Sequence, residues 1–323
     1  MWKYLVFSCL CVLLPPPLRR NHYLDFTTDP INYPQEKFAR FVDTLHDNGQ
    51  RFVPIVDPGI FVEDTQNPSY VQGMAQNVFV KDLQGVNNYL GQVWPGPTYF
   101  PGRELYSLCF TCPSASPRPL VGAHISTVVI DWFAENTTSW WMDQFVAFHS
   151  IVPYDGIWID MNEVANFCND GSAQVCDLDL TCSQPDGCCV QCSTPEPDNT
   201  LDFPPFLPAI AYEALGSKTL PPSALHAGGI VDYNAHNLYG FMESIATRKA
   251  VSSATGKRPF VLSRSTFAGS GAYTAHWTGD NAATWADLSA SIITMNNMAL
   301  FGIPMVGADM YVSTGLPHIA VAF

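Results

Sequence analysis

The sequence predicts a parallel α/β fold, read as part of a (β/α)8 barrel. Three observations carry this. Short apolar runs take turns with segments of helical periodicity. The runs are continuously apolar, as in parallel strands buried on both faces, and do not alternate with polar residues. A charged residue stands repeatedly just beyond the C-terminal end of a run, the edge at which parallel α/β proteins place their chemistry.

Taken in order, Pro34 to Asn48 is predicted helical: Pro34 can start it, Phe38, Phe41, Val42 and Leu45 share a face, and Gly49 stops it. Arg51 to Ile60 follows as a strand containing Asp57. Val93-Trp94-Pro-Gly-Pro is a turn-rich loop, and Thr137 to Ser150 is a helix with Trp141, Phe145 and Phe148 at helical spacing. Gly156 to Ile159 is a short buried strand that ends in Asp160, Asn162 and Glu163. An Asp after a strand is often no more than a cap for the next segment. Here Trp158 and the second carboxylate at Glu163 argue for chemistry. Tyr239 to Ala254 is predicted as a helix with Phe241, Ile245 and Ala246 on one side, then Arg258 to Ser263 as a strand ending at Arg264. Tyr273 to Trp277 is the next strand, leading to Asp280. A helix over Thr284 to Leu300, showing Leu288, Ile292, Met295 and Ala299, precedes a strand at Ile303 to Val306 that leads to Asp309. Five strands with one polar edge suggest a barrel.

The composition narrows the classes of function. A chain of 323 residues, 47% hydrophobic and only 14% charged, can bury a sizeable core. Its net charge of −14 argues against nucleic acid as a partner and suits a neutral substrate. Abundant Trp and Tyr fit a sugar ligand. Cys168, Cys176, Cys182, Cys188, Cys189 and Cys192 crowd a loop-like stretch, which reads as disulfides in an oxidising compartment. Zinc is the rival, from the CxxC spacings at Cys189 and Cys109. Asn136-Thr-Thr138 is an N-glycosylation sequon. Met1 to Leu14 is either a signal-like apolar segment or sequence foreign to the fold, and is too short to span a bilayer.

On this reading Asp57, Asp160, Arg264, Asp280 and Asp309 gather at one rim, with Trp94, Trp158 and Trp277 beside them. Paired carboxylates among aromatic rings suit glycoside cleavage, one attacking the anomeric carbon and the other protonating the leaving oxygen. A divalent-metal site is the alternative, but neither HxH nor HExxH spacing supports it.

The motifs also carry a resemblance. Trp158-Ile-Asp-Met-Asn-Glu163 with His276-Trp-Thr-Gly-Asp280 resembles glycoside hydrolase family 31, the α-glucosidase family. Ile55-Val-Asp-Pro58, Val93-Trp-Pro-Gly96, His236-Asn-Leu-Tyr-Gly240, the run from Arg258 to Phe267 and Gly307-Ala-Asp309 follow in the family's order. The resemblance implies a retaining α-glucosidase that needs no cofactor or metal and acts on terminal non-reducing α-linked glucose. Asp160 would be the nucleophile, Asp280 the general acid/base and Glu163 a support for Asp160. Ile55, Trp94, Trp158, Met161 and Trp277 would wall the glucose subsite, and Arg264 and Asp309 would hold its hydroxyls. It also implies a secreted enzyme without stable membrane association.

Departures from the family pattern set the expected domains. Residues 1–20 and 311–323 do not resemble the family, and residues 21–310 give strands 3 to 7 of its barrel. Residues 102–130 read as a non-family insertion and 168–235 as a Cys-rich inserted loop after the nucleophile strand. A barrel lacking strands keeps unpaired edges, so this chain is expected to be poorly stable by itself. An inactive fragment or pseudo-enzyme, an α-xylosidase and a transglucosylase are the competing expectations.

Overall fold

The computed structural model describes residues 5–7, 24–62, 67–91, 93, 127–166, 200–208, 215–216, 218–279, 281–282 and 284–309. In chain order these form β1 (Leu5–Phe7), α1 (Gln35–Asp47), β2 (Arg51–Val53), β3 (Ile55–Val56), β4 (Gly59–Phe61), α2 (Pro68–Gln76) and β5 (Leu90–Gly91). There follow β6 (Thr127–Val129), α3 (Thr137–Ile151), β7 (Ile157–Ile159), β8 (Leu225–His226), β9 (Ile230–Val231) and α4 (Asp232–Ala235). The described chain closes with α5 (Tyr239–Thr255), β10 (Val261–Ser263), β11 (Ala275–Trp277), α6 (Trp285–Leu300) and β12 (Val306–Gly307).

The expected parallel α/β arrangement is found. A five-stranded sheet runs β12-β11-β10-β7-β3, every neighbouring pair parallel. The β1 backbone pairs parallel with β2 in a separate two-stranded sheet. The run expected as one strand from Arg51 to Ile60 is three. Pro54 has no N–H to give a ladder and separates β2 from β3, and Pro58 turns the chain into β4. The last strand also begins later than expected, at Val306. Ile303 N–H is spent on Met298 O at the end of α6, and Pro304 has no donor.

Each central strand is buried on both faces, and its two faces serve different cores. Phe52, Val56, Ile157, Ile159 and Val261 point outward, where they pack with Trp140, Trp141, Phe145 and Tyr239 of α3 and α5. Ile55, Trp158, Leu262, Ala275 and Trp277 form a separate inner cluster. The outer core is strongly aromatic: Trp141 meets Trp132, Phe145 and Phe26 edge-on. Two of its polar groups are paired, Trp141 Nε1 donating to Thr247 Oγ1 at 2.9 Å and Tyr154 O–H to Phe145 O at 2.9 Å. Gly156 lets β7 close on β10, since a Cβ there would sit 2.8 Å from Phe260 O. Asp155 fixes the start of β7, its Oδ2 accepting from Phe52 N–H at 3.0 Å and facing His46 Nε2 at 2.7 Å.

Between β3 and α3 the chain makes an antiparallel excursion, the three-stranded sheet β4-β6-β5, which the sequence reading did not foresee. Thr127 to Ile130, the last residues of the stretch expected as an insertion, are its buried centre; the rest of that stretch, 102–126, lies outside the described residues. So β-branched residues here build the fold. All ten cysteines, residues 168–199 of the expected Cys-rich loop and the tail 311–323 also lie outside the described residues. The α6 helix forms as expected, but its supposed inner face is open: Ile292 is 50% exposed and only Ser291 is buried.

Where the 218–238 segment returns to the body, His226 is fully buried between two carboxylates. Its Nδ1 faces Asp131 Oδ1 at 2.9 Å and its Nε2 faces Asp232 Oδ1 at 3.1 Å, while Ala227 N–H donates to Asp131 Oδ2 at 2.6 Å. This cluster ties β8 and α4 to the residues that precede α3.

Candidate active site

The parallel register explains how the candidate residues meet. Ile55 stands opposite Trp158, which stands opposite Leu262, which stands opposite Ala275. One row further along, Val56, Ile159, Ser263, His276 and Val306 are aligned. The next row, still on the ladder only at Trp277 and Gly307, holds Asp57, Asp160, Arg264, Trp277 and Gly307. Because side chains alternate with a period of two, this third row faces the same way as Ile55 and Trp158, into the inner cluster. The ends of four strands thus deliver two carboxylates, a guanidinium and an indole to one place.

Arg264 is the hub. Its Nη1 lies 2.9 Å from Asp160 Oδ1, and its Nε and Nη2 donate to the two oxygens of Glu163 at 2.5 and 2.7 Å. Such a two-bond fork fixes the guanidinium plane as no single bond could. Glu163 therefore holds Arg264, and Arg264 faces Asp160. Met161 N–H also donates to Asp160 Oδ1, at 2.7 Å, and Met161 takes a left-handed backbone with φ of 56° to make that turn. Arg264 Nη2 approaches Met161 Sδ at 3.1 Å, and the guanidinium carbon lies 6.0 Å from the Trp277 ring centroid.

Behind this layer Asn162 links the ends of β7 and β10. Its amide donates to Ser263 Oγ at 2.9 Å and its carbonyl accepts from Ser265 N–H at 2.9 Å. The first turn of α5 packs against the same link: a Cβ on Gly240 would lie 2.8 Å from Asn162 O.

Burial and charge set the protonation of the site. Burial, and then the neighbouring Asp57 carboxylate, push the Asp160 carboxyl up to about 7, although Arg264 and the Met161 N–H pull the other way. Burial works against the charge on Arg264 as well, but Glu163 and Asp160 outweigh it and keep the guanidinium ionised. Burial lowers His276, so its imidazole is neutral near pH 7.

Of the residues expected from the sequence, Ile55, Trp158 and Trp277 share the inner cluster, with the two indoles perpendicular at 4.7 Å between centroids. Met161 packs instead with Val93 and Ala165. Asp309 is half-buried two residues beyond β12; its N–H donates to Asn281 Oδ1 at 3.3 Å, and the same oxygen accepts from the Thr278 hydroxyl at 2.7 Å. Asp280 and Trp94 lie outside the described residues. Sequence reasoning placed Asn162 in the polar cluster and Ser263 at a strand end but did not foresee that they brace neighbouring segments, and it passed over Asn281. Asp57, grouped with Asp160 at one rim in the sequence reading, stands in the same row as Asp160. Among the described residues no group of three or more His, Cys, Asp or Glu is arranged to hold a metal ion.

An ionisable carboxylate beside a fixed cation, at the mouth of an aromatic-lined inner face, is able to attack and stabilise a carbocation-like centre. Over residues 14–311 the chain matches the family described as the glycosyl hydrolases family 31 TIM-barrel domain. The chain belongs to glycoside hydrolase family 31. Among family 31 relatives, a probable alpha-glucosidase of Oryza sativa subsp. japonica is 43% identical over 290 residues, covering 89% of this chain and 26% of that protein. Alpha-xylosidase 1 of Arabidopsis thaliana is 41% identical, over 88% of this chain and 28% of that protein. A crystal structure of a glucosidase II alpha subunit superposes with a TM-score of 0.62 at 25% identity, covering 90% of this chain and 23% of that one. This chain therefore spans about a quarter of the length of the relatives it matches.

Proposed function

We propose that the chain carries the catalytic centre of a retaining α-glucosidase acting on terminal non-reducing α-linked glucose. The observation that carries this reading is the Asp160–Arg264–Glu163 arrangement at the ends of β7 and β10. Asp160, ionised and directed by Arg264, attacks the anomeric carbon. The glycosidic C–O bond breaks as Asp280 gives its proton to the leaving oxygen. In the second half Asp280 takes a proton from water, the water oxygen attacks the same carbon, and the bond to Asp160 breaks. Two inversions leave the α configuration unchanged. Glu163 does not enter either step; it holds the guanidinium. Ile55, Trp158 and Trp277, with Trp94 and Met161, wall the sugar, and Arg264 and Asp309 bind its hydroxyls. The partner is an α-glucoside oligosaccharide, and neither metal, cofactor nor nucleic acid takes part. The sequon at Asn136, an exposed residue at the start of α3, supports a place in the secretory pathway or outside the cell. No helix among the described residues is long and apolar enough to cross a membrane.

The test is hydrolysis of p-nitrophenyl α-glucoside by the chain, followed by NMR of the first-formed anomer. Release of α-glucose is expected, and β-glucose as first product would overturn the retaining mechanism. Asp160→Asn and Asp280→Ala should each reduce turnover by about a thousandfold or more. A second reading, α-xylosidase, has support from the near-equal identity of the relative of that name. Preference for p-nitrophenyl α-xyloside over the glucoside decides for it.

A further inference from the structure

Glu243 sits in the second turn of α5 and is completely buried, a position that charged residues rarely take without a partner. It stands close behind the site. The first turn of α5 presses on Asn162 and Ser265 through Gly240. Asn162 is also fully buried, with its amide spent on Ser263 and Ser265 at either side of Arg264. The Asn162 side chain approaches Glu243 without meeting hydrogen-bond geometry at either carboxyl oxygen. The ionisable groups facing Glu243 are Asp57, Asp160 and Glu163 from the strand ends and Tyr239 from its own helix. No role in the proposed chemistry accounts for a carboxyl in this place.

We propose that Glu243 is a positioning residue for the reaction at Asp160, acting through the Asn162 clamp between the ends of β7 and β10. The inference rests on the hydrolase reading given above. Glu243 serves as a neutral acid. Burial first raises its pKa; the approach of the Asn162 side chain pulls it down, but the Asp57, Glu163 and Asp160 carboxylates add to burial and leave it well above the ordinary range. In that form it offers Asn162 both an O–H donor and a C=O acceptor, and it adds no further negative charge behind Asp160. An anion at the same place would compete with Asp160 for Arg264 and raise the Asp160 carboxyl still further.

Glu243→Gln, Glu243→Leu and the parent chain test this. In the infrared, the parent at neutral pH should show a protonated-carboxyl stretch that is missing from Glu243→Gln. Glu243→Gln should keep turnover within about threefold of the parent, with the acid limb of kcat/KM unmoved, because amide and neutral acid carry the same charge. Glu243→Leu, similar in volume but unable to hydrogen-bond, should lose about tenfold or more in kcat with KM almost unchanged. Full activity in Glu243→Leu overturns the positioning role. A Glu243→Gln acid limb lowered by about half a pH unit or more shows that Glu243 was ionised and overturns the neutral form. So does the absence of the infrared band from the parent. Should Glu243→Leu fail to fold, the Glu243→Gln measurements still decide. A parent that shows the band but turns over neither glucoside nor xyloside overturns the hydrolase reading and the positioning role with it, leaving Glu243 a structural acid.

Discussion

Asp160 is held between opposed influences, and their balance can be measured. As the proposed nucleophile it must be ionised, yet burial and Asp57 favour its proton while Arg264 favours its charge. Activity should therefore rise as pH passes upward through the neighbourhood of 7, above the range of an ordinary carboxylate. Asp57→Asn removes a negative neighbour and should move the acid limb of kcat/KM to lower pH. Arg264→Gln removes the cation and should move it to higher pH, with a loss of turnover of about a hundredfold. A pH–rate profile for each variant checks both signs; shifts in the same direction would contradict this account of the site. At this scale the sequence was informative about identity and poor about support. Asp160, Arg264 and Trp277 announce themselves as charged or aromatic residues just past an apolar run. Asn162 stands in the same polar cluster, but nothing local shows that it and Asn281 brace their neighbours, because an amide that does so looks like any loop residue until the loops are brought together.

At the scale of the elements, the strands were legible because continuous apolar runs demand burial on both faces, and Ile157 to Ile159 lie within such a sheet. What the sequence obscured was pairing that depends on distant partners. The β4-β6-β5 sheet joins residues near 60, 90 and 128, and no local pattern specifies that. The His226 cluster is of the same kind, since Asp131 is 95 residues away along the chain. Burial alone would lower the imidazole pKa, but the hydrogen bonds that the ring donates to the Asp131 and Asp232 carboxylates, with their charges, outweigh it and raise it to about 9. A folded-state pKa above the ordinary 6.5 stabilises the fold by about 3 kcal/mol, fully below pH 6.5, and that contribution fades as pH climbs through about 9. The stability gap between the parent and His226→Gln, from urea unfolding, should thus be large at pH 6 and shrink at pH 9.5. A gap that stayed constant across that range would mean that the imidazole is not charged in the fold.

For the molecule as a whole, the parallel sheet is well covered on its α3–α5 side and poorly covered around α6. Trp285 is 69% exposed, Ile293 59%, Leu300 83% and Phe301 67%. An apolar surface of that extent favours self-association in water. Light scattering of the chain at micromolar concentration should show oligomers, and replacing Trp285, Ile293 and Phe301 by Gln, Lys and Ser should reduce them without altering the far-ultraviolet circular dichroism. A parent that remains monomeric would overturn the expected self-association. The expectation of low stability, formed from the motif pattern, is tested by the same sample. The charge of −14 limits such association at low salt, so scattering should increase as salt is added.

The two-faced strands have a consequence for how the protein can change over generations. Along β3, β7 and β10 every second side chain enters the aromatic outer core and the ones between enter the inner cluster, the side proposed to meet the sugar. Folding and specificity are thus written on alternate letters of the same short words. A saturation library across residues 52–57, 157–160 and 261–264 should give two interleaved profiles. Abundance would fall at Phe52, Val56, Ile157, Ile159 and Val261, while substrate preference would shift at Ile55, Trp158 and Leu262 with abundance largely kept. Selection for a new sugar can then act on one parity while the other keeps the chain folded.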